Sequence, residues 1–163
     1  MGVEILRLSR TDMWDAARVH RAAFDERLPW LAGRHTPDED RAFFEDKVFA
    51  ACEVWGARDR DVLTAFMAFR EGWIDHLYVL PSHQGAGQGG ALLRMAKALA
   101  PELRLWTFQR NLIARRFYER RGFKAVDMTD GARNEAREPD VLYAWRAAAD
   151  PREASSRPRP SAS

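Results

Sequence analysis

The sequence predicts an α/β fold with a mixed, mostly antiparallel central sheet of about seven strands flanked by about four helices. Three observations predict this fold class. The chain has 163 residues, which is close to the length of one domain. Its first half holds three short apolar runs separated by turn residues, a pattern typical of an antiparallel meander. Its second half alternates strand and helix patterns, which favours some parallel pairing at the centre of the sheet.

The N-terminal elements follow from apolar spacing and helix caps. Residues 3–8 alternate apolar and polar side chains, as a half-buried strand does. Thr11 or Asp12 can cap a first helix, and Thr36 or Asp38 can cap a second one after a loop. The meander strands are expected over 51–55, 62–69 and 73–79.

The C-terminal elements begin after a glycine-rich loop. A helix is expected over 91–100 because apolar residues recur on one stripe and Pro101 ends it. Asn111 can cap a further helix, and Gly122 lies where a left-handed C-terminal cap belongs. The last strands are expected over 103–108, 123–128 and 141–145.

Composition narrows the classes of protein. Apolar residues make up 46% and charged residues 31%, as in ordinary soluble domains. No stretch approaches the roughly 20 apolar residues of a membrane span, and Cys52 is the single cysteine. The net charge is only +2, and the basic residues are spread along the chain, whereas a nucleic-acid binder needs them clustered on one face. We therefore expect a cytoplasmic protein without a metal, a membrane or a nucleic acid as partner.

The end of the chain differs from the rest. Residues 148–163 are rich in Pro, Ser and Arg and hold no large apolar residue. Such a segment cannot bury enough surface to offset the entropy cost of ordering. The sequence therefore predicts one domain over 1–147 and a disordered tail over 148–163.

The most informative segment is the run Gly85-Ala-Gly-Gln-Gly-Gly90, which leads straight into a predicted helix. Glycines permit positive φ angles and close backbone approach, so successive N–H groups can converge on an anion at the helix N-terminus. The run predicts a site for a phosphate or pyrophosphate group. It also matches the G-x-G-x-x-G pattern of dinucleotide enzymes, but the strand over 103–108 does not end on the acidic residue that those enzymes use. A nucleotide-dependent oxidoreductase remains an alternative.

Three spaced motifs resemble the GNAT superfamily of N-acetyltransferases. Gln84-x-x-Gly87-x-Gly89 resembles the family's acetyl-coenzyme A pyrophosphate motif, and Leu77-Tyr-Val79 resembles its fourth strand. Asn111, Tyr118 and the pair Gly122-Phe123 resemble its later motif. The order of elements matches over about residues 3–146, so the resemblance covers nearly all of the predicted domain.

The resemblance implies an enzyme that transfers an acetyl group from acetyl-coenzyme A to a primary amine, on a small molecule or a peptide, within a ternary complex. It also implies that the fourth and fifth strands splay apart around the cofactor, and that a homodimer is one option. A non-catalytic protein that binds acyl-coenzyme A is a second alternative. The implied cofactor-binding residues are Leu77, Tyr78, Val79, Gln84, Gly85, Ala86, Gly87, Gln88, Gly89, Gly90 and Asn111.

The resemblance also assigns catalytic roles. Tyr118 matches the tyrosine that protonates the departing thiolate, and a phenol with a pKa near 10 can donate that proton at neutral pH. For the general base, strand alternation favours Asp75, whereas a β-bulge would favour His76. One branch of the family acetylates the N-termini of ribosomal proteins and has a glutamate base at the position where this chain has Trp106. The tryptophan argues against those N-termini as substrates of this protein.

The acceptor site is expected in the segments over 28–35 and 129–139, because the resemblance implies that the loop between the first two helices and the last strand pair build it. There Trp30 could supply an apolar wall and Glu135 could hold a cationic amine. Small amines, amino acids, antibiotics and peptide N-termini all remain open as acceptors.

Overall fold

The computed structural model describes residues 3–148, so all of the expected tail except Ala148 lies outside the described residues. Seven strands form one sheet, and four helices flank it, which confirms the predicted fold class. The strands are β1 (Glu4–Arg7), β2 (Glu53–Asp59), β3 (Val62–Arg70), β4 (Trp73–Val79), β5 (Glu102–Phe108), β6 (Lys124–Thr129) and β7 (Asp140–Arg146). The helices are α1 (Met13–Arg27), α2 (Pro37–Phe43, prolonged by a π-helical stretch over Phe44–Val48 and a last turn over Phe49–Ala51), α3 (Gln88–Leu99) and α4 (Leu112–Glu119).

The strands lie in the order β1-β2-β3-β4-β5-β7-β6. Among the described strands only β4 and β5 pair in parallel, and their register contains the single pair Trp73 and Arg104. The two strands therefore meet at one end and separate toward the other. This sheet is not the doubly wound parallel sheet of a dinucleotide-dependent oxidoreductase, so that alternative is wrong.

Local capping chemistry explains where the helices begin and end. Thr36 Oγ1 accepts a hydrogen bond from the Glu39 backbone N–H at 3.2 Å, and the Glu39 carboxylate accepts from the Thr36 N–H at 3.0 Å. This reciprocal pair starts α2. Asn111 Oδ1 accepts from the Ala114 N–H at 3.2 Å and starts α4. Gly122 follows α4 with a φ of +89°, the left-handed conformation that its position predicts.

Two hydrophobic cores cover the two faces of the sheet. Helices α1 and α2 pack on β1–β4 around Phe44 and Phe66. Helices α3 and α4 pack on the other face around residues from both sides of the β4–β5 junction, including Met67, Leu92 and Tyr143. The first core stops at β4, so the α1 side of β5 is left open and Trp106 is 44% exposed there.

Three boundaries differ from expectation by two residues or more, and one of them is the end of β2, at Asp59 rather than at residue 55. The last turn of α2 extends to Ala51, so β2 begins at Glu53 rather than at residue 51. Helix α3 begins at Gln88 rather than at residue 91, because Gly87 with a φ of +85° already forms its N-cap. Within residues 3–148, no helix is long and apolar enough to cross a membrane.

Candidate functional site

The separation of β4 from β5 opens a cavity of about 1070 Å³. Its walls come from the end of β4, the glycine loop, the first turn of α3, the end of β5 and helix α4. The cavity brings together most of the predicted cofactor residues, namely Leu77, Tyr78, Val79, Gln84, Gly85, Gly87, Gln88, Gly89, Gly90 and Asn111. Ala86 does not line it.

The glycine loop has the backbone conformation that an anion site needs. Gly85 and Gly87 have φ angles of +81° and +85°, and a Cβ atom at either position would meet no atom within 4 Å. Conformation and not space therefore requires glycine at both. Gly87 is also the N-cap of α3, whose partial positive charge and free N–H groups attract anions.

The side chains of two glutamines hold the glycine loop in place through hydrogen bonds. The Gln84 side chain donates to the Val79 carbonyl at 3.1 Å and accepts a hydrogen bond from the Arg27 guanidinium. The buried Gln88 side chain accepts from the Thr64 hydroxyl of β3 at 2.8 Å. Both glutamine side chains are already hydrogen-bonded within the protein. The loop would therefore bind a ligand through its backbone N–H groups.

Tyr118 lies on the α4 wall of the same cavity and is 7% exposed. Its ring packs edge-on against Phe117, with the centroids 5.1 Å apart. Burial raises the pKa of the Tyr118 phenol above its usual value, and the nearby Tyr78 phenol adds to the rise. The hydroxyl therefore stays protonated at neutral pH and is a proton donor.

A β-bulge decides which side chains of β4 face the cavity. Ala68 pairs with His76 and the adjacent Phe69 pairs with Ile74, so Asp75 is the extra residue of the strand. The Asp75 carboxylate accepts hydrogen bonds from Arg70 Nε at 2.5 Å and from the Cys52 thiol at 3.5 Å. Asp75 does not line the cavity, whereas His76 does. The first choice of general base is corrected accordingly, because the bulge reverses the alternation on which it rested.

His76 faces a second imidazole that sequence reasoning missed. The ring centroids of His76 and His20, which lies on α1, are 5.8 Å apart, and both rings pack against Tyr78. Both Nδ1 atoms are shut off from solvent and have no hydrogen-bond partner among the described residues. Burial lowers the pKa of each ring to about 4, so both are neutral at pH 7. The sequence did contain a signal for this residue, because His20 lies on the apolar stripe of α1 between Ala16 and Ala23.

A second cavity of about 480 Å³ adjoins the first, and the two share His20, Phe24, His76, Phe108 and Asn134. Glu135 lines this second cavity and pairs with His35 Nε2 at 2.9 Å.

Trp30, the other predicted acceptor residue, lines neither cavity. Its indole N–H donates to the buried Glu138 carboxylate at 2.6 Å, and the Arg110 guanidinium stacks 3.9 Å above its ring. Trp30 therefore joins the α1–α2 loop to the β6–β7 loop and does not form the expected wall. Within residues 3–148, no cluster of three or more His, Cys, Asp or Glu side chains is arranged to hold a metal ion.

Solved structures with the same fold cover nearly the whole chain. YjaB from Escherichia coli, in its apo form, superimposes with a TM-score of 0.76 at 24% identity and covers 91% of this chain and 100% of its own. The PaiA N-acetyltransferase from Thermoplasma acidophilum, solved with coenzyme A, has a TM-score of 0.69 at 21% identity over 90% of this chain and 99% of its own.

The acetyltransferase YncA from Salmonella typhimurium, described as putative and solved with acetyl-CoA, has a TM-score of 0.67 at 18% identity over 93% of this chain and 99% of its own. No curated protein sequence matches this chain significantly. The sequence profile of the acetyltransferase (GNAT) family matches residues 6–123. This match covers most of the chain and includes the glycine loop, Asn111 and Tyr118, and the chain therefore belongs to the GNAT family of acetyltransferases.

Proposed function

We propose that this protein is an N-acetyltransferase that moves an acetyl group from acetyl-CoA to a primary amine. One observation carries the proposal: the glycine loop at the N-terminus of α3 and the protonated phenol of Tyr118 line the same cavity, at the place where β4 and β5 separate. An anion site and a proton donor in one cleft fit an acyl donor that carries both a pyrophosphate and a leaving thiolate.

The residues present fit this cosubstrate. The glycine-loop amides would bind its pyrophosphate, with Arg27 and Arg121 as charged neighbours on the same wall. Beyond Trp73, the backbone of β4 has no ladder partner in β5, so its groups can pair with the amide-rich pantetheine arm. The Asn111 oxygen already caps α4, which leaves the side-chain NH₂ as a donor to a pantetheine carbonyl.

When bound, acetyl-CoA supplies a thioester carbonyl that an amine can attack. Tyr118 donates the proton of its hydroxyl to the sulfur that leaves. His76 accepts, at Nε2 rather than at the enclosed Nδ1, the proton that the amine nitrogen loses as it bonds to the carbonyl carbon. The apolar surroundings that keep both imidazoles neutral also favour the uncharged form of an amine, which is the form that can attack the thioester.

Calorimetry and a thiol-release assay test the proposal. We expect acetyl-CoA to bind the full chain and to release thiol when a primary amine is added. Tyr118→Phe should lower kcat by about 100-fold or more, because one acid catalyst is worth that much. The matched control is Tyr143→Phe, since Tyr143 is also buried but does not line the cavity and hydrogen-bonds Glu119 instead. Absence of acetyl-CoA binding would refute the proposal, and binding without thiol release for any amine would support the non-catalytic alternative.

A further inference from the structure

The second cavity indicates which amine the protein acetylates. Resting on the proposed function, we infer that the acceptor is a primary amine on an aromatic or similarly bulky apolar body that carries no carboxylate. The cavity volume of about 480 Å³ lies within the range of small-molecule pockets. The apolar wall, the charge of the rim and the groups at the junction with the first cavity all favour such an amine.

The wall of the cavity is aromatic. Four phenylalanines and one leucine line it: Phe24, Phe43, Phe44, Phe108 and Leu31. Phe44 is buried in the core, whereas Phe43 is 49% exposed although it lies on the same helix. An aromatic ligand ring would cover the open face of Phe43, and such ring pairs add to the free energy of simple burial.

Among the charged side chains that line the cavity, the acidic ones outnumber the basic ones. Four carboxylates and two guanidinium groups line it, from Asp25, Glu39, Asp40, Glu135, Arg21 and Arg34. Several are already paired: Arg21 binds Asp40 at 2.8 Å, and His35 lies between Glu135 at 2.9 Å and Glu39 at 3.5 Å. An acceptor carboxylate would therefore meet an excess of like charge. A polycationic acceptor would have to displace the arginine and histidine partners of these carboxylates. The apolar wall, and not the charged rim, therefore dominates recognition of the acceptor.

The junction of the two cavities holds the reactive end of the acceptor. The residues that line both cavities are His20, Phe24, His76, Phe108 and Asn134, and none of them is a carboxylate. An amine at this junction lies beside the neutral imidazole of His76, with its apolar body in the second cavity. The same position leaves the first cavity to the acetyl donor.

A panel of four amines tests the inference with the full-length protein. We expect kcat/KM for phenethylamine and for 2-cyclohexylethylamine to exceed that for L-phenylalanine by about 100-fold, because the carboxylate of L-phenylalanine lies beside the amine and would lose its hydration at the junction, between Phe24 and Phe108. We expect both to exceed spermidine by about tenfold, because spermidine lacks a bulky apolar body to cover the aromatic wall. Equal or faster turnover of L-phenylalanine or spermidine would overturn the inference while acetyl-CoA binding and thiol release still upheld the proposed function. Calorimetric titration of phenethylamine without acetyl-CoA tests the pocket by itself, and lack of binding would also overturn the inference.

A pair of variants locates the pocket. Phe43→Ala should raise the KM for phenethylamine about tenfold, equivalent to about 1.4 kcal/mol, and leave the KM for acetyl-CoA unchanged. Trp14→Ala is the matched control, because Trp14 is an aromatic residue of similar exposure on α1 that lines neither cavity. Equal effects of the two variants, or an effect of Phe43→Ala on acetyl-CoA alone, would contradict the assignment.

Discussion

Two buried imidazoles should make the stability of this protein depend on pH above the range in which carboxylates titrate. Burial lowers the pKa of His20 and of His76 from 6.5 to about 4. The unfolded chain therefore binds more protons than the native state between these two pKa values, and the unfolding free energy falls as the pH falls through that window. Above pH 6.5 the two rings contribute no further change. Between pH 7 and 5 the loss is about 2 kcal/mol for each ring.

Urea unfolding at pH 7, 6 and 5, followed by tryptophan fluorescence, measures this loss. His76→Phe keeps a ring among the aromatic neighbours and removes one titrating group, so about half of the pH-dependent loss should disappear. Leu103→Ala is the control, because Leu103 is fully buried in the core on the other face of the sheet and does not titrate, so this variant should lower stability equally at every pH. An identical loss between pH 7 and 5 in wild type and in His76→Phe would refute the reasoning.

Two further predictions concern backbone and buried polar groups. Gly87→Ala should cost about 1–2 kcal/mol of unfolding free energy, because its left-handed φ is strained for alanine although no atom is in the way. Gly131→Ala has a similar φ of +80°, but its Cβ would lie 2.3 Å from the Glu138 carbonyl, so it should cost about 1–3 kcal/mol more; equal costs measured in urea would contradict the steric argument. Thr64→Val should cost about 1–3 kcal/mol, because the buried Gln88 oxygen loses its donor, and should weaken acetyl-CoA binding in calorimetry; unchanged stability would show that Gln88 finds another partner.

Features that depend on local sequence could be predicted. The caps at Thr36 and Asn111 and the left-handed Gly122 follow from the chemistry of a few neighbouring residues. The positive φ angles of Gly85 and Gly87 could be predicted for the same reason, because they need no distant contact.

Features that depend on distant contacts could not be predicted. The choice between Asp75 and His76 rests on the register between β3 and β4, which strand alternation within one segment does not contain. His20 meets His76 only when α1 packs on β4. Trp30 was expected at a substrate, but Glu138 binds its indole N–H from the far end of the chain.

The single register pair between β4 and β5 has a consequence for how the native state opens. Strands β1–β4 form one hydrogen-bonded ladder and β5–β7 form another. The register between the two ladders contains only the pair Trp73 and Arg104. We therefore expect the second ladder to lose its amide protection from hydrogen exchange before the first. Helix α3 and its core pack against strands of both units, so the helix that follows the glycine loop joins them, together with the Trp30–Glu138 contact between their loops.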